Sequence, residues 1–182
     1  MSQRAGFFQP APSALMLAEP VCSTGTELTG AGLWPAEQVG HRHSPLRRYP
    51  WTEAYPALQR LMAHDDGGHA VRLEYRNPLT GGPALATISC SLVGLAAGQR
   101  TRTSRETASS VYYVAQGSGL LDCEGGRREL RTHDVVAIPS WTWHQLCSRG
   151  TRSSCFRMSD RPVQEAFGLF RAESAGAGVS GG

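Results

Sequence analysis

The sequence predicts an all-β domain, a sandwich or barrel of short strands. Three observations carry this. Short runs between Ala70 and Asp160 alternate apolar and polar side chains. The strands recur at regular spacing and Gly-rich turns join them, at 77–83, 117–119 and 125–126. Only one short helix is expected after the strands, and no Gly-x-Gly-x-x-Gly follows a strand.

The elements follow in order. Residues 1–50 read as an irregular arm or inter-domain linker, because Pro10, Pro12 and Pro20 interrupt the apolar residues and 23–32 is polar and Gly-rich. Residues 51–68 hold a helix and a turn. The helix is expected over 52–64, with Thr52 as its cap and Leu58, Leu61 and Met62 as its apolar stripe. Pro56 is placed near its first turn, where a missing N–H costs least, and "DDGG" at 65–68 ends it. The barrel and a C-terminal helix are expected over 69–172, and a disordered tail over 173–182.

Within the barrel, "AVRLEY" puts Val71, Leu73 and Tyr75 on one face, and "TISCSLVGL" does the same for Ile88, Cys90 and Leu92. "SVYYVAQ" sets Val111 and Tyr113 opposite Tyr112 and Val114. "LLDCEGGRREL" reads as a hairpin with Gly125 and Gly126 at its tip. "HDVVAIPS" is a buried strand, with His133 at a position that a turn gives to glycine, and "WTWHQLCS" and "SSCFRMSD" are two more. Asp160 is expected to cap a helix starting at Pro162, with Val163, Ala166 and Phe167 on one face.

Composition narrows the function. The net charge of +3 is carried by arginine alone, since lysine is absent. The basic residues are scattered and no aromatic stripe interleaves them, which argues against nucleic acid as a partner. No apolar run reaches membrane-spanning length and the N-terminus lacks a signal pattern, so no membrane role and a cytoplasmic location are expected. The five cysteines, Cys22, Cys90, Cys123, Cys147 and Cys155, include no C-x-x-C pair. Cys90, Cys147 and Cys155 lie in apolar strands and read as small packing residues.

Two blocks have the order of the two cupin motifs: "GQRTRTSRETASSVYYVAQGSG" at 98–119 and "HDVVAIPSWTWHQL" at 133–146. Further segments share a narrower likeness. "YRNPLTGGPALATIS", "SSVYYVAQGSG", "PSWTWHQL" and "SDRPVQEAFGLFRAE" resemble the C-terminal half of gentisate 1,2-dioxygenase and its relatives. "SPLRRYPWTEAYPAL" is similar to that family's linker and helix before its second cupin, and "GFFQP" to the end of its first. The resemblance runs over residues 5–173. It implies a double-stranded β-helix, a jelly-roll barrel of cupin type, with the arm as the connector of a two-cupin enzyme. It also implies Fe(II)-dependent ring cleavage of a hydroxylated aromatic acid, with the iron-binding histidines mainly in a first cupin that is not in this sequence.

The family's motif sharpens the site. Where its first block carries His-x-His, counted back from Gly117, this chain has Ser104 and Glu106; the optional glutamate falls near Ser109 and Ser110, and the second block keeps His144. Glu106 and His144 are therefore the metal candidates. Non-haem Fe(II) normally takes three imidazole or carboxylate ligands on one face, so the set is incomplete. The competing reading makes His144 a satisfied barrel histidine, hydrogen-bonded to Glu106 or to a backbone carbonyl. Arg102, Arg105, Tyr113 and Trp143 are candidate binders of an aromatic carboxylate, with Arg100, Tyr112 and Trp141 near them; a solvated rim and plain barrel filling are the alternatives. His41, His43, His64 and His69 are expected in exposed loops and turns.

Two function classes follow. In the first, the chain is the second barrel of a ring-cleaving dioxygenase, inactive alone, its first cupin either lost from the gene or supplied by a separate N-terminal cupin chain. In the second, it is a non-catalytic single cupin that binds a small molecule or forms a homo-oligomer.

Overall fold

A computed structural model describes residues 44–46, 48–64 and 70–175. It begins with helix α1, Trp51–His64. Ten strands follow: β1 Val71–Tyr75, β2 Ser89–Leu95, β3 Ser104–Glu106, β4 Ser110–Gln116, β5 Ser118–Cys123, β6 Gly126–Arg131, β7 Val135–Ile138, β8 His144–Ser148, β9 Ser153–Ser159 and β10 Ala172–Ser174. Helix α2, Arg161–Ala166, lies between β9 and β10.

The strands form two five-stranded antiparallel sheets, in the orders β1-β2-β9-β4-β7 and β10-β3-β8-β5-β6. Val93, Tyr112, Val114, Ile138 and Cys155 of the first sheet pack with Leu121, Leu130 and Leu146 of the second as one core. Period-two alternation aims these residues inward from both sheets. The expected jelly roll is observed. Burial pushes the Cys155 thiol up to about 11, so this cysteine is the small hydrophobe expected of it.

A second, smaller core lies outside the first sheet. Leu58, fully buried, packs on Val71 and Leu92, with Ala54, Tyr55, Met62, Leu73, Tyr75 and Phe156 around it. Val71, Leu73 and Tyr75 share a face as expected. The stripe of α1 is Ala54, Tyr55, Leu58 and Met62, spaced to stack on one helical face. Leu61 is not part of it and is 40% exposed. The Pro50 carbonyl accepts from the N–H groups of Glu53 and Ala54, so the helix starts at Trp51 and Thr52 is inside it rather than capping it. Pro56 falls beyond the first turn.

The turn at 77–83 forms as its residues require. Asn77 is buried, its Oδ1 accepts from the Leu79 N–H at 2.9 Å, and its carbonyl accepts from Gly81 at 2.8 Å. The β5–β6 hairpin turns at Glu124 and Gly125, because Cys123 already pairs with Gly126. His133 has φ 75°, the left-handed conformation expected at a glycine-like position.

Other expectations are corrected. Ile88 precedes β2 and is exposed rather than aligned in a buried face. β7 is an edge strand with Val135 66% exposed; only one of its faces meets the core. Ser140 and Trp141 form a turn, with Trp141 at φ 59°, Thr142 and Trp143 follow as irregular chain, and the strand starts at His144. Asp160 precedes α2 without a side-chain cap; its Oδ1 accepts from the Ser109 N–H at 2.7 Å instead, tying α2 to the start of β4. Phe167 is 75% exposed, and Ala166 is exposed too, so no three-residue apolar face forms there. Ala172–Ser174 is a strand on β3, not the start of a disordered tail. Residues 1–43, the "DDGG" turn with His69, and 176–182 lie outside the described residues. Among the described residues no helix is long and apolar enough to cross a membrane.

Candidate functional site

The antiparallel register brings the two motif positions together. Ser104 of β3 stands directly opposite His144 of β8. Glu106 lies two residues along β3, on the same face, and Tyr112 enters from β4 in the facing sheet. These four side chains line one cavity of about 430 Å³, together with Arg102, Arg157 and the apolar Ala70, Val71 and Val93.

His144 is buried. Its Nδ1 is 3.1 Å from the Thr142 carbonyl, which can only accept, so Nδ1 carries the proton and Nε2 is left as an acceptor. Nε2 faces the Tyr112 hydroxyl at 3.4 Å. Burial raises the Tyr112 phenol above its ordinary value, so the hydroxyl keeps its proton and is the donor. The barrel-histidine reading thus has its carbonyl partner in Thr142. Glu106 is not a partner of His144.

Glu106 is committed to Arg157, whose Nη2 donates to the Glu106 carboxylate and, at 2.6 Å, to the Ser110 hydroxyl. The Arg157 side chain is only 6% exposed and that of Glu106 16%. Ser110 also donates to Glu106 at 3.4 Å. Arg157 sits on β9 between Ser91 of β2 and Tyr112 of β4, its guanidinium 5.8 Å from the Tyr112 ring centre. The small buried Ser91 leaves room for the long side chain.

Arg157 is the residue that sequence reasoning missed. In "SSCFRMSD" the alternation sets Cys155, Arg157 and Ser159 on one face and Phe156 and Met158 on the other. The second set looks more apolar, but it faces outward, where Phe156 packs in the outer core by α1. The available signal was that Arg157 shares its face with the buried Cys155.

The substrate candidates divide. Arg102 reaches the cavity. Arg105 points to the other face of β3: it bonds Glu173 of β10 at 2.6 and 2.8 Å, and its guanidinium lies 4.5 Å from the Trp141 ring centre and 4.7 Å from that of Trp143. Arg105 and Trp143 are brought together, but outside the cavity. Tyr113 is likewise outside, its hydroxyl 2.7 Å from His133 Nδ1. His64 is exposed at the end of α1 and bonds the Arg60 carbonyl through Nδ1 at 2.8 Å; His41 and His43 lie outside the described residues.

These groups do not fit an Fe(II) centre. Among the described residues no three of His, Cys, Asp or Glu gather where a metal could be held. The Glu106 carboxylate is already neutralised by a buried guanidinium, and an ion placed between it and His144 would meet that positive charge at close range in a poorly screened interior.

His144 gives a pH test. Burial pushes its imidazole below the ordinary range, with the Arg157 charge acting the same way. The folded state therefore resists a proton that the unfolded chain accepts near pH ~6.5. Stability is full above that pH and declines as pH falls from there towards the lower folded value. Urea midpoints measured from pH 8 down to pH 5 are expected to fall in the wild type, and the part of the slope below about pH 6.5 is expected to shrink in His144→Gln.

No family model matches the chain. Among curated proteins, a gentisate 1,2-dioxygenase of a Streptomyces species is 35% identical over 177 residues, covering 92% of this chain and 49% of its own length. A 5-aminosalicylate 1,2-dioxygenase of a Comamonas species is 32% identical over 133 residues, covering 71% of this chain and 36% of its own. A 1-hydroxy-2-naphthoate 1,2-dioxygenase of a Nocardioides species is 33% identical over 173 residues, covering 92% and 44%. Among solved structures, salicylate 1,2-dioxygenase from Pseudoaminobacter salicylatoxidans, determined as an adduct with gentisate, superposes with a TM-score of 0.71 at 30% identity, over 84% of this chain and 44% of that one. The chain spans less than half the length of these relatives.

Proposed function

Because the chain belongs to the gentisate 1,2-dioxygenase family and matches its C-terminal half, we propose that it serves as the second barrel of a two-cupin, ring-cleaving dioxygenase and holds no iron of its own. The observation that carries this is the Glu106–Arg157 ion pair, which commits the one carboxylate of the motif. The iron chemistry then belongs to a first cupin outside this sequence, and the substrate of the assembled enzyme is a hydroxylated aromatic acid. This barrel contributes an arginine-bearing partner to the assembled enzyme.

The test is metal analysis after anaerobic Fe(II) loading, with oxygen uptake on gentisate. The chain alone is expected to retain far less than one equivalent of iron and to consume no oxygen. Joined to an iron-holding first cupin of the family, it is expected to support uptake. A full equivalent of iron that disappears in His144→Ala would overturn the metal-free reading. A second reading, a non-catalytic binding module, is supported by the size of the cavity. It would be selected by ligand binding together with failure of any first cupin to restore turnover.

A further inference from the structure

The Glu106–Arg157 pair leaves much of the guanidinium unused. Its Nη2 makes both hydrogen bonds described above, whereas Nε is buried and has no partner among the described residues. Nη1 also donates to nothing among the described residues. A buried donor left unpaired is costly, and here it belongs to a side chain that lines a cavity.

The other charges of that cavity have the same sign. Arg72 and Arg102 line it as well; Arg72 is held by Glu74 at 3.0 Å, while Arg102 makes no hydrogen bond or ion pair among the described residues. Among the described residues Glu106 is the only carboxylate in the lining. With Arg72 matched by Glu74, Arg102 and Arg157 are the guanidinium groups that face the Glu106 carboxylate. Val93 and the Tyr112 ring supply apolar wall. A volume of about 430 Å³ falls in the range of small-ligand sites.

We propose that this cavity is a metal-free binding site for a small organic carboxylate, whose anion takes the Nη1 donors that Arg157 keeps free and is closed over by Arg102. Guanidinium suits this task, because its planar donors match a carboxylate and it stays charged when buried. The flat or aliphatic body of the ligand lies against Val93 and Tyr112. The site rests on the reading that no iron sits between Glu106 and His144, and it is separate from any site in a first cupin.

Calorimetric titration of the chelator-treated protein with benzoate tests it, with the neutral isostere benzamide as control. Benzoate is expected to bind at least about ten-fold more tightly, a difference of about 1.4 kcal/mol, and equally well with or without added Fe(II). Glu106→Gln removes the competing carboxylate and is expected to tighten benzoate several-fold. The double variant Glu106→Gln/Arg157→Met removes both charges, so neither is stranded, and is expected to lose binding. Arg102→Gln, at an exposed position, is expected to weaken benzoate several-fold without touching the buried pair.

Equal affinity for benzoate and benzamide overturns the proposal. So does full benzoate affinity in Arg102→Gln or in the folded double variant. If neither iron nor benzoate binds, the metal-free reading stands and this proposal alone falls. If a full equivalent of iron binds and benzoate needs it, both fall.

Discussion

Glu106→Ala is expected to lower the unfolding free energy by about 3–5 kcal/mol, because it strands a buried guanidinium. Arg157 would keep only the Ser110 hydroxyl and the face of Tyr112, with its side chain 6% exposed. For a chain of this size the loss corresponds to a fall of roughly 10 °C in melting temperature. Paired removal behaves differently. Glu106→Gln/Arg157→Met takes away both charges and is expected to stay within about 2 kcal/mol of the wild type, since a buried pair is often replaced by packed apolar groups at little cost. Urea unfolding of Glu106→Gln, Arg157→Met and the double variant closes the cycle. A loss below about 1 kcal/mol in Glu106→Ala would mean that the pair behaves like an exposed salt bridge.

Gly117→Ala is expected to cost about as much by a different route. Gly117 joins β4 to β5 at φ 81°, a left-handed conformation that charges an L-residue about 1–2 kcal/mol. A Cβ there would also run into the Arg152 carbonyl oxygen and stand 2.9 Å from the Ser153 Cα, both backbone atoms of the neighbouring strand entry. Backbone cannot rotate away as a flexible side chain can, so overpacking adds about 1–3 kcal/mol. Gly126→Ala is the control: φ is 104°, but its Cβ would meet nothing within 4 Å. Equilibrium denaturation should show the first loss to be clearly larger than the second. Equal losses would assign the effect to φ alone.

Much of the fold was legible because strand alternation and turn chemistry are local. Tyr112 and Val114 follow directly from "SVYYVAQ", and the turn at 77–83 follows from its Asn, Pro and Gly residues. What alternation cannot say is which face of a strand is inside. Leu61, Val135 and Phe167 are apolar and exposed because their elements lie at an edge or carry only one buried side. β10 was illegible for a related reason. "AES" has no strand pattern of its own, and it is extended because its backbone pairs with β3 and Glu173 meets Arg105.

The site was half legible. The motif located His144 and Glu106, and the β3–β8 register does set Ser104 opposite His144. Their chemistry was not legible, because it depends on Arg157, 51 residues from Glu106 in sequence. An arginine in a strand reads as an outward residue unless the opposite face is known to be covered. Here α1 covers it, and that is a tertiary fact.

The buried ion pair also constrains how this barrel can change by mutation. Introducing an imidazole by Ser104→His alone sets a new ligand beside a resident cation. Removing Arg157 alone strands Glu106, and exchanging Glu106 alone strands Arg157. Each single step is penalised, while the combination is not. A route from this barrel to a metal centre therefore has to cross a fitness valley at residues 106 and 157. That epistasis acts as a barrier: with the arginine in the interior, no single substitution leads to a cation site.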